Sequence, residues 1–219
     1  HWLRAHPPLR QKPWLLEPLA LSKFCATFIE QQVGGNLTEA SLALRLPTLL
    51  PYNGVLFLGN SLLVRLVDAL TQLPESYPIY TNRGASGIVG SNKPVVAVIG
   101  DTSTLYYLNS FALFKNVTQP TVIFVINNNG GAIFDMLPVD EQVKDQFYRL
   151  PHNGDFSQIA AMFDLKYAHP YTWADLNSVV KQAYSRRKAT LIEIKTNPSD
   201  GSSLYKRLIE QISHAVIGA

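Results

Sequence analysis

Two short stretches of this 219-residue sequence combine oxygen ligands with backbone freedom in a way that suits a hard cation. Gly100-Asp101 follows the apolar run 95–99, and Asn127-Asn128-Asn129-Gly130-Gly131 follows the apolar run 122–126. Asp101 offers a carboxylate, Asn128 a side-chain amide oxygen and Gly130 a turn carbonyl. Magnesium takes about six such oxygens in an octahedron and fills the remaining places with phosphate and water. Gly130 and Gly131, lacking side chains, let the backbone come close to an ion or a phosphate. Each half also has an ordinary reading: Gly-Asp after a strand is a common turn, and Asn-Gly tolerates left-handed backbone for geometric reasons alone. The spacing favours the ion site. Residues 102–120 are long enough for one helix, which makes a βαβ unit whose two strands end at the same edge of a sheet. In open α/β sheets that carboxyl-end crevice is where phosphate-bearing ligands bind.

The elements that must hold these residues are legible as short apolar runs alternating with helical periodicity. The candidate strands are 55–58, 79–81, 95–99, 122–126, a weaker one at 165–168, and 191–195. Leu62, Leu66, Leu70 and Leu73 recur at helical spacing, as do Leu105, Leu108 and Ala112, and then Ile159, Met162 and Phe163. This pattern is that of an α/β fold with a mostly parallel central sheet and helices on both faces. Ahead of it, residues 1–50 read as a connector with helices. A helix is expected over 19–32, stopped by Gly34-Gly35, and a second one capped at Thr38 and ended before Pro47. The main domain is then 51–219. Residues 138–153 are polar and read as an irregular, mobile segment beside the site. The link between the second and third strands is too short and glycine-rich for a crossover helix. Either those strands are not parallel partners, or residues are absent between Ile88 and Pro94.

A third candidate lies at Gly59-Asn60-Ser61, where a strand turns into a helix. Its amides and the Ser61 hydroxyl form a helix N-terminus suited to anions, and Arg65 lies four residues on along the same face. An ordinary N-cap and a solvated arginine are the alternatives. Other chemistries find no support. The segment 84–88 lacks the last glycine of a nucleophile elbow, no Walker or dinucleotide fingerprint is present, and the five histidines have no metal spacing. A net charge of +3 without basic runs argues against nucleic acid. The single Cys25 excludes an intramolecular disulfide framework and fits a reducing cytoplasm, and no apolar run approaches the length of a membrane span. The chain begins at His1 rather than methionine, so a preceding segment of protein is expected.

The Gly-Asp, helix, Asn-Asn arrangement resembles the signature of thiamine diphosphate enzymes. The stretches GDTSTLYYLNSFALF, INNNGGAIFDMLP, AAMFDLKY and GNSLLVRL are similar to the MenD family within them, the synthases of menaquinone biosynthesis. The likeness runs from about His1 to the C-terminus. It implies the thiamine diphosphate-binding fold, with Asp101, Asn128 and the Gly130 carbonyl holding Mg2+ (or Mn2+). Asn60, Gly100, Thr102, Gly131 and Ile133 would then line the cofactor. It makes Ile88 the prop that bends the cofactor, with the Ser86 carbonyl near its aminopyrimidine; core filling is the other reading of Ile88. It makes Ser61, Arg65 and Arg83 substrate-facing groups, and sets Ile133, Phe134 and Leu137 along the wall where the acceptor binds, although all three would otherwise be core residues. The implied reaction is decarboxylation of 2-oxoglutarate and addition of the resulting carbanion to isochorismate. The activating glutamate and the pyrimidine-binding domain are not among these residues. A second subunit would supply that domain, in a homodimer or homotetramer, and this part alone would not turn over. Tyr107 stands where the family usually has aspartate. Another thiamine diphosphate enzyme, of acetolactate synthase or 2-oxoacid decarboxylase type, and a non-catalytic α/β binding domain are the competing readings.

Overall fold

Runs of β-branched residues without polar interruption form strands that are buried on both faces, as parallel sheets require. In the computed structural model, which describes residues 16–82 and 92–217, six strands make one sheet: β1 (Val55–Gly59), β2 (Ile79–Asn82), β3 (Val95–Gly100), β4 (Thr121–Asn127), β5 (Lys166–Ala168) and β6 (Ala189–Lys195). Their order is β2-β1-β3-β4-β6-β5 and every pairing is parallel. All seven residues of β4 are buried. The sequence's candidate strands lie inside these six, apart from a residue at their edges. β2 and β3 are not bonded to each other, because β1 lies between them and pairs with both. The short link therefore joins two strands across a third, and much of it falls outside the described residues.

Eight α-helices accompany the sheet among the described residues: α1 (Leu16–Val33), α2 (Glu39–Arg45), α3 (Leu62–Leu70), α4 (Asp101–Tyr106), α5 (Glu141–Phe147), α6 (Phe156–Met162), α7 (Trp173–Tyr184) and α8 (Asp200–Ile217). α1 stops where Gly34 turns left-handed at φ +71°. α2 starts in a capping box: Ser41 N–H donates to Thr38 Oγ1, and Thr38 N–H donates to Ser41 Oγ. α2 ends at Arg45 and is followed by a 3₁₀ turn, Leu46–Leu49, that contains Pro47.

Two cores form, one on each face of the sheet. One joins α2, α3, α7 and α8 to Leu56, Val96, Phe124 and Ile192. The other packs Phe111, Phe114, Phe156 and Ala160 against Phe57, Ala97, Ile123 and Leu191. Two expectations need correction. Residues 102–120 do not form one helix: the short α4 gives way at Tyr107 to a 3₁₀ helix, Leu108–Asn116. The residues that bury are Phe111 and Phe114, three apart as a 3₁₀ helix requires, while Ala112 is exposed. The segment 138–153 is not irregular throughout, since it contains α5, capped by Asp140. In α6 it is Phe156 and Ala160 that enter the core, and Met162 is 77% exposed.

Candidate cofactor and ion site

The chain leaves β1 through α3 towards β2 on one side, and leaves β3 through α4 towards β4 on the other. β1 and β3 are neighbours, so the connections diverge between them and open a crevice at their carboxyl ends. Asn60 and Ser61 follow one of these strands, and Gly100 ends the other with Asp101 next in the chain. A cavity of about 240 Å³ opens there, and Asn60, Ser61, Gly100, Asp101, Thr102, Asn128, Gly131, Ile133 and Phe134 all line it. Nine positions singled out from the sequence thus converge on one cleft.

Asp101 is its centre, buried to 3% exposure at the start of α4. Oδ2 accepts the backbone N–H of Asn128 (3.0 Å) and of Gly130 (2.8 Å), so the carboxylate organises the loop after β4. Oδ1 accepts from the Thr102 amide (2.6 Å) and hydroxyl (3.3 Å). The hydroxyl can turn away, so Oδ1 is the oxygen with room for a further partner. Asn128 is also buried, and its Oδ1 has no hydrogen-bond partner, nor has the buried Ser61 Oγ. An orphaned amide oxygen beside a buried carboxylate is a donor set that fits a hard cation. Gly130 and Gly131 take φ of +91° and +71°. A Cβ at Gly130 would stand 2.3 Å from the Leu150 carbonyl oxygen, and one at Gly131 would stand 2.5 Å from that of Tyr148. The glycines are required by the closely packed segment 148–150 as well as by their backbone conformation.

Arg65 is exposed and donates to the Ser61 carbonyl at 2.9 Å, outside the cleft lining. Leu137 is 38% exposed and also outside it. Gly130 reaches the site through its bond to Asp101 rather than by lining the cavity. Arg83, Ser86 and Ile88 fall outside the described residues. Among those described, no three His, Cys, Asp or Glu side chains cluster as a metal site.

Sequence reasoning missed two residues beside Asp101. Glu39, in the first turn of α2, is 2% exposed and lines the cleft, with Oε2 3.5 Å from Asn128 Nδ2. Burial, opposed by the Asn128 bond and reinforced by the charge of Asp101, pushes its carboxyl up to about 7. His152 Nε2 lies 3.2 Å from Asp101 Oδ2 without hydrogen-bond alignment. Its Nδ1 accepts the Gly154 amide, which places the ring proton on the Nε2 that faces Asp101. An acidic residue opening a helix and a lone histidine carry no signal in a sequence.

Comparison with known proteins gives the family. Residues 81–194 match the family described as thiamine pyrophosphate enzyme, C-terminal TPP binding domain, and residues 1–58 match the middle domain of such enzymes. The 2-succinyl-5-enolpyruvyl-6-hydroxy-3-cyclohexene-1-carboxylate synthase of Haemophilus influenzae (strain PittGG) is 94% identical over all of this chain. The synthases of that name from Mannheimia succiniciproducens and Pasteurella multocida are 74% and 71% identical. The chain spans 40% of the length of these relatives. The Haemophilus alignment runs over 230 positions against 219 residues here, so at least 11 positions (230 − 219) have no counterpart in this chain. Among solved structures, the Rhodococcus jostii RHA1 thiamine diphosphate-dependent 4-hydroxybenzoylformate decarboxylase superposes with a TM-score of 0.62 at 21% identity, over 77% of this chain and 34% of its own. Benzoylformate decarboxylase from Polynucleobacter necessarius gives 0.59 at 17%, over 73% and 33%. At these identities the likeness is one of fold. With more than half of its length matched by the family profile, the chain belongs to the thiamine pyrophosphate enzymes and carries their C-terminal TPP-binding domain.

Proposed function

We propose that this chain is the cofactor-holding part of a 2-succinyl-5-enolpyruvyl-6-hydroxy-3-cyclohexene-1-carboxylate synthase that decarboxylates 2-oxoglutarate and joins the product to isochorismate, in menaquinone biosynthesis. The observation that carries this reading is 94% identity to the Haemophilus synthase across the whole chain. The site fits it. Asp101 Oδ1, Asn128 Oδ1 and the Gly130 carbonyl would hold Mg2+ or Mn2+, three hard oxygens leaving places for a diphosphate and water. The orphaned Asn128 oxygen supports this ligand set. Bound there, thiamine diphosphate supplies the electron sink that decarboxylation requires.

The chain's own residues place and shield it. Gly100, Thr102 and Gly131 leave room for the diphosphate, Asn60 and Ser61 offer polar groups at the start of α3, and Ile133 with Phe134 forms an apolar wall that excludes water. Arg65 and Arg83 are the candidates for gripping substrate carboxylates, which suit guanidinium contacts. Ile88 and the Ser86 carbonyl would set the pose of the aminopyrimidine, and Leu137 would extend the acceptor wall. A cavity of about 240 Å³ is smaller than the ~300 Å³ and above of sites that enclose a whole ligand. A pyrimidine-binding domain from a second subunit, in a homodimer or homotetramer, would complete it. Residues 1–50 act as the connector to the domain 51–219, and the enzyme works in the cytoplasm. Among the described residues, no helix is long and apolar enough to cross a membrane.

The protein as its source organism makes it, supplied with thiamine diphosphate and Mg2+, should consume 2-oxoglutarate with isochorismate and leave pyruvate untouched. Asp101→Ala should cut turnover by at least about 100-fold. Arg65→Ala should raise the KM of a substrate by about tenfold, the loss of one carboxylate contact. Turnover of pyruvate, or an Asp101→Ala enzyme as active as the unmodified one, would overturn the proposal.

A further inference from the structure

Glu39 is a buried carboxyl in the cofactor cleft that the reaction, as described above, does not use. It comes from the segment matched by the middle domain, whereas Asp101 and Asn128 belong to the segment matched by the TPP-binding domain. We propose that Glu39 is a positioning residue for the ion ligands: from the first turn of α2 it fixes the Asn128 carboxamide with its nitrogen towards the connector, so that the oxygen is presented to the cation. The inference rests on the ion site proposed above.

Three observations carry it. Glu39 Oε2 lies 3.5 Å from Asn128 Nδ2, while Asn128 Oδ1 is buried with no partner. An asparagine amide can take either of two orientations of almost equal shape, and only its neighbours decide between them. A carboxyl oxygen accepts and selects the NH₂ branch, and ionised or protonated it keeps an oxygen that can do so. Glu39 itself has little freedom to move. It is 2% exposed, and a Cβ added to Gly201, in the first turn of α8, would lie 3.2 Å from its Oε2. The start of α8 thus limits where this carboxyl can move.

The test uses Mn2+ with thiamine diphosphate as probe, free Mn2+ being read by electron paramagnetic resonance on the protein as its source makes it. Glu39→Leu removes the acceptor and should weaken Mn2+ binding about tenfold or more, the usual effect of losing a group that orients a ligand. Glu39→Gln keeps a carbonyl and should weaken it less. In an Asn128→Ala background Glu39→Leu should have no further effect, a coupling that a merely structural role would not produce. Should Glu39→Leu not fold, judged by circular dichroism without ligand, Glu39→Gln is put through the same cycle. Unchanged Mn2+ affinity in the folded variants, or an effect that persists in full without Asn128, would overturn the inference and leave the ion site standing. An unmodified protein that binds no Mn2+ would overturn the site and the inference with it.

Discussion

At the scale of single residues, the site depends on a few atoms whose surroundings leave no substitute. Gly130 combines φ +91° with a backbone oxygen 2.3 Å from where a Cβ would be, and that oxygen belongs to Leu150 rather than to a side chain that can swing away. Gly130→Ala should therefore cost about 2 kcal/mol in urea denaturation, the range of a left-handed non-glycine residue under steric load. Gly35→Ala is the control, since nothing lies within 4 Å of a Cβ there and its φ is ordinary. Equal stability of the two variants would show that the loop after β4 yields easily. Asp101, Asn128 and Gly130 were legible in the sequence because a carboxylate and an Asn-Gly turn after two buried strands make a short, local pattern. Glu39 was not, because it meets Asn128 across 89 residues of chain and only the packing of α2 on the sheet brings them together.

At the scale of elements, legibility followed burial. β1, β3 and β4 are covered on both faces and carry continuous apolar runs, and β6, equally covered, is apolar but for the buried Thr190 and Glu193 and the exposed Lys195 that ends it, so these strands were identified directly. Where burial is partial the pattern misled. The spacing of Leu105, Leu108 and Ala112 suggested one α-helix, but the sheet takes up Phe111 and Phe114 from a 3₁₀ helix instead. The segment 138–153 looked irregular because its order comes from ion pairs rather than from an apolar stripe. Arg149 joins Asp145 and Glu141 of α5 to Asp135, which is only 8% exposed, and the flanking carbonyls of Tyr148 and Leu150 press on Gly131 and Gly130. Replacing Arg149 by Met should leave Asp135 without its guanidinium and cost about 2 kcal/mol, between the values of exposed and fully buried ion pairs. Local opening should precede global unfolding, so the backbone amides of α5 should exchange with deuterium about tenfold faster or more, while those of β4 keep their protection. Protection in α5 equal to that of the unmodified protein would show that the segment is held by something other than this cluster.

At the scale of the whole molecule, the all-parallel order β2-β1-β3-β4-β6-β5 explains why a cofactor site lies where it does. Helices that leave β1 and β3 on opposite faces of the sheet open a crevice there, and the positive ends of α3 and α4 face it. The site sets the buried Asp101 carboxylate, already bonded to the loop after β4, next to Asn128, whose buried amide oxygen is met by no donor of the chain. Such a site should be held in its folded form by its ligand. A ligand that binds only the native state adds about 2.7 kcal/mol of stability at 100 times its Kd. For a chain of this size each kcal/mol raises Tm by roughly 2–4 °C. Thiamine diphosphate with Mg2+ at that excess should therefore raise Tm by about 5–10 °C, and chelation of the metal should remove most of the gain. Each partner alone should give less, because in the proposed site the diphosphate and the three protein oxygens would share one ion. In Asp101→Ala the shift should vanish. A Tm that ignores cofactor and metal in the unmodified protein, or that rises equally in Asp101→Ala, would mean that the carboxylate at the end of β3 organises the loop after β4 and does nothing for a ligand.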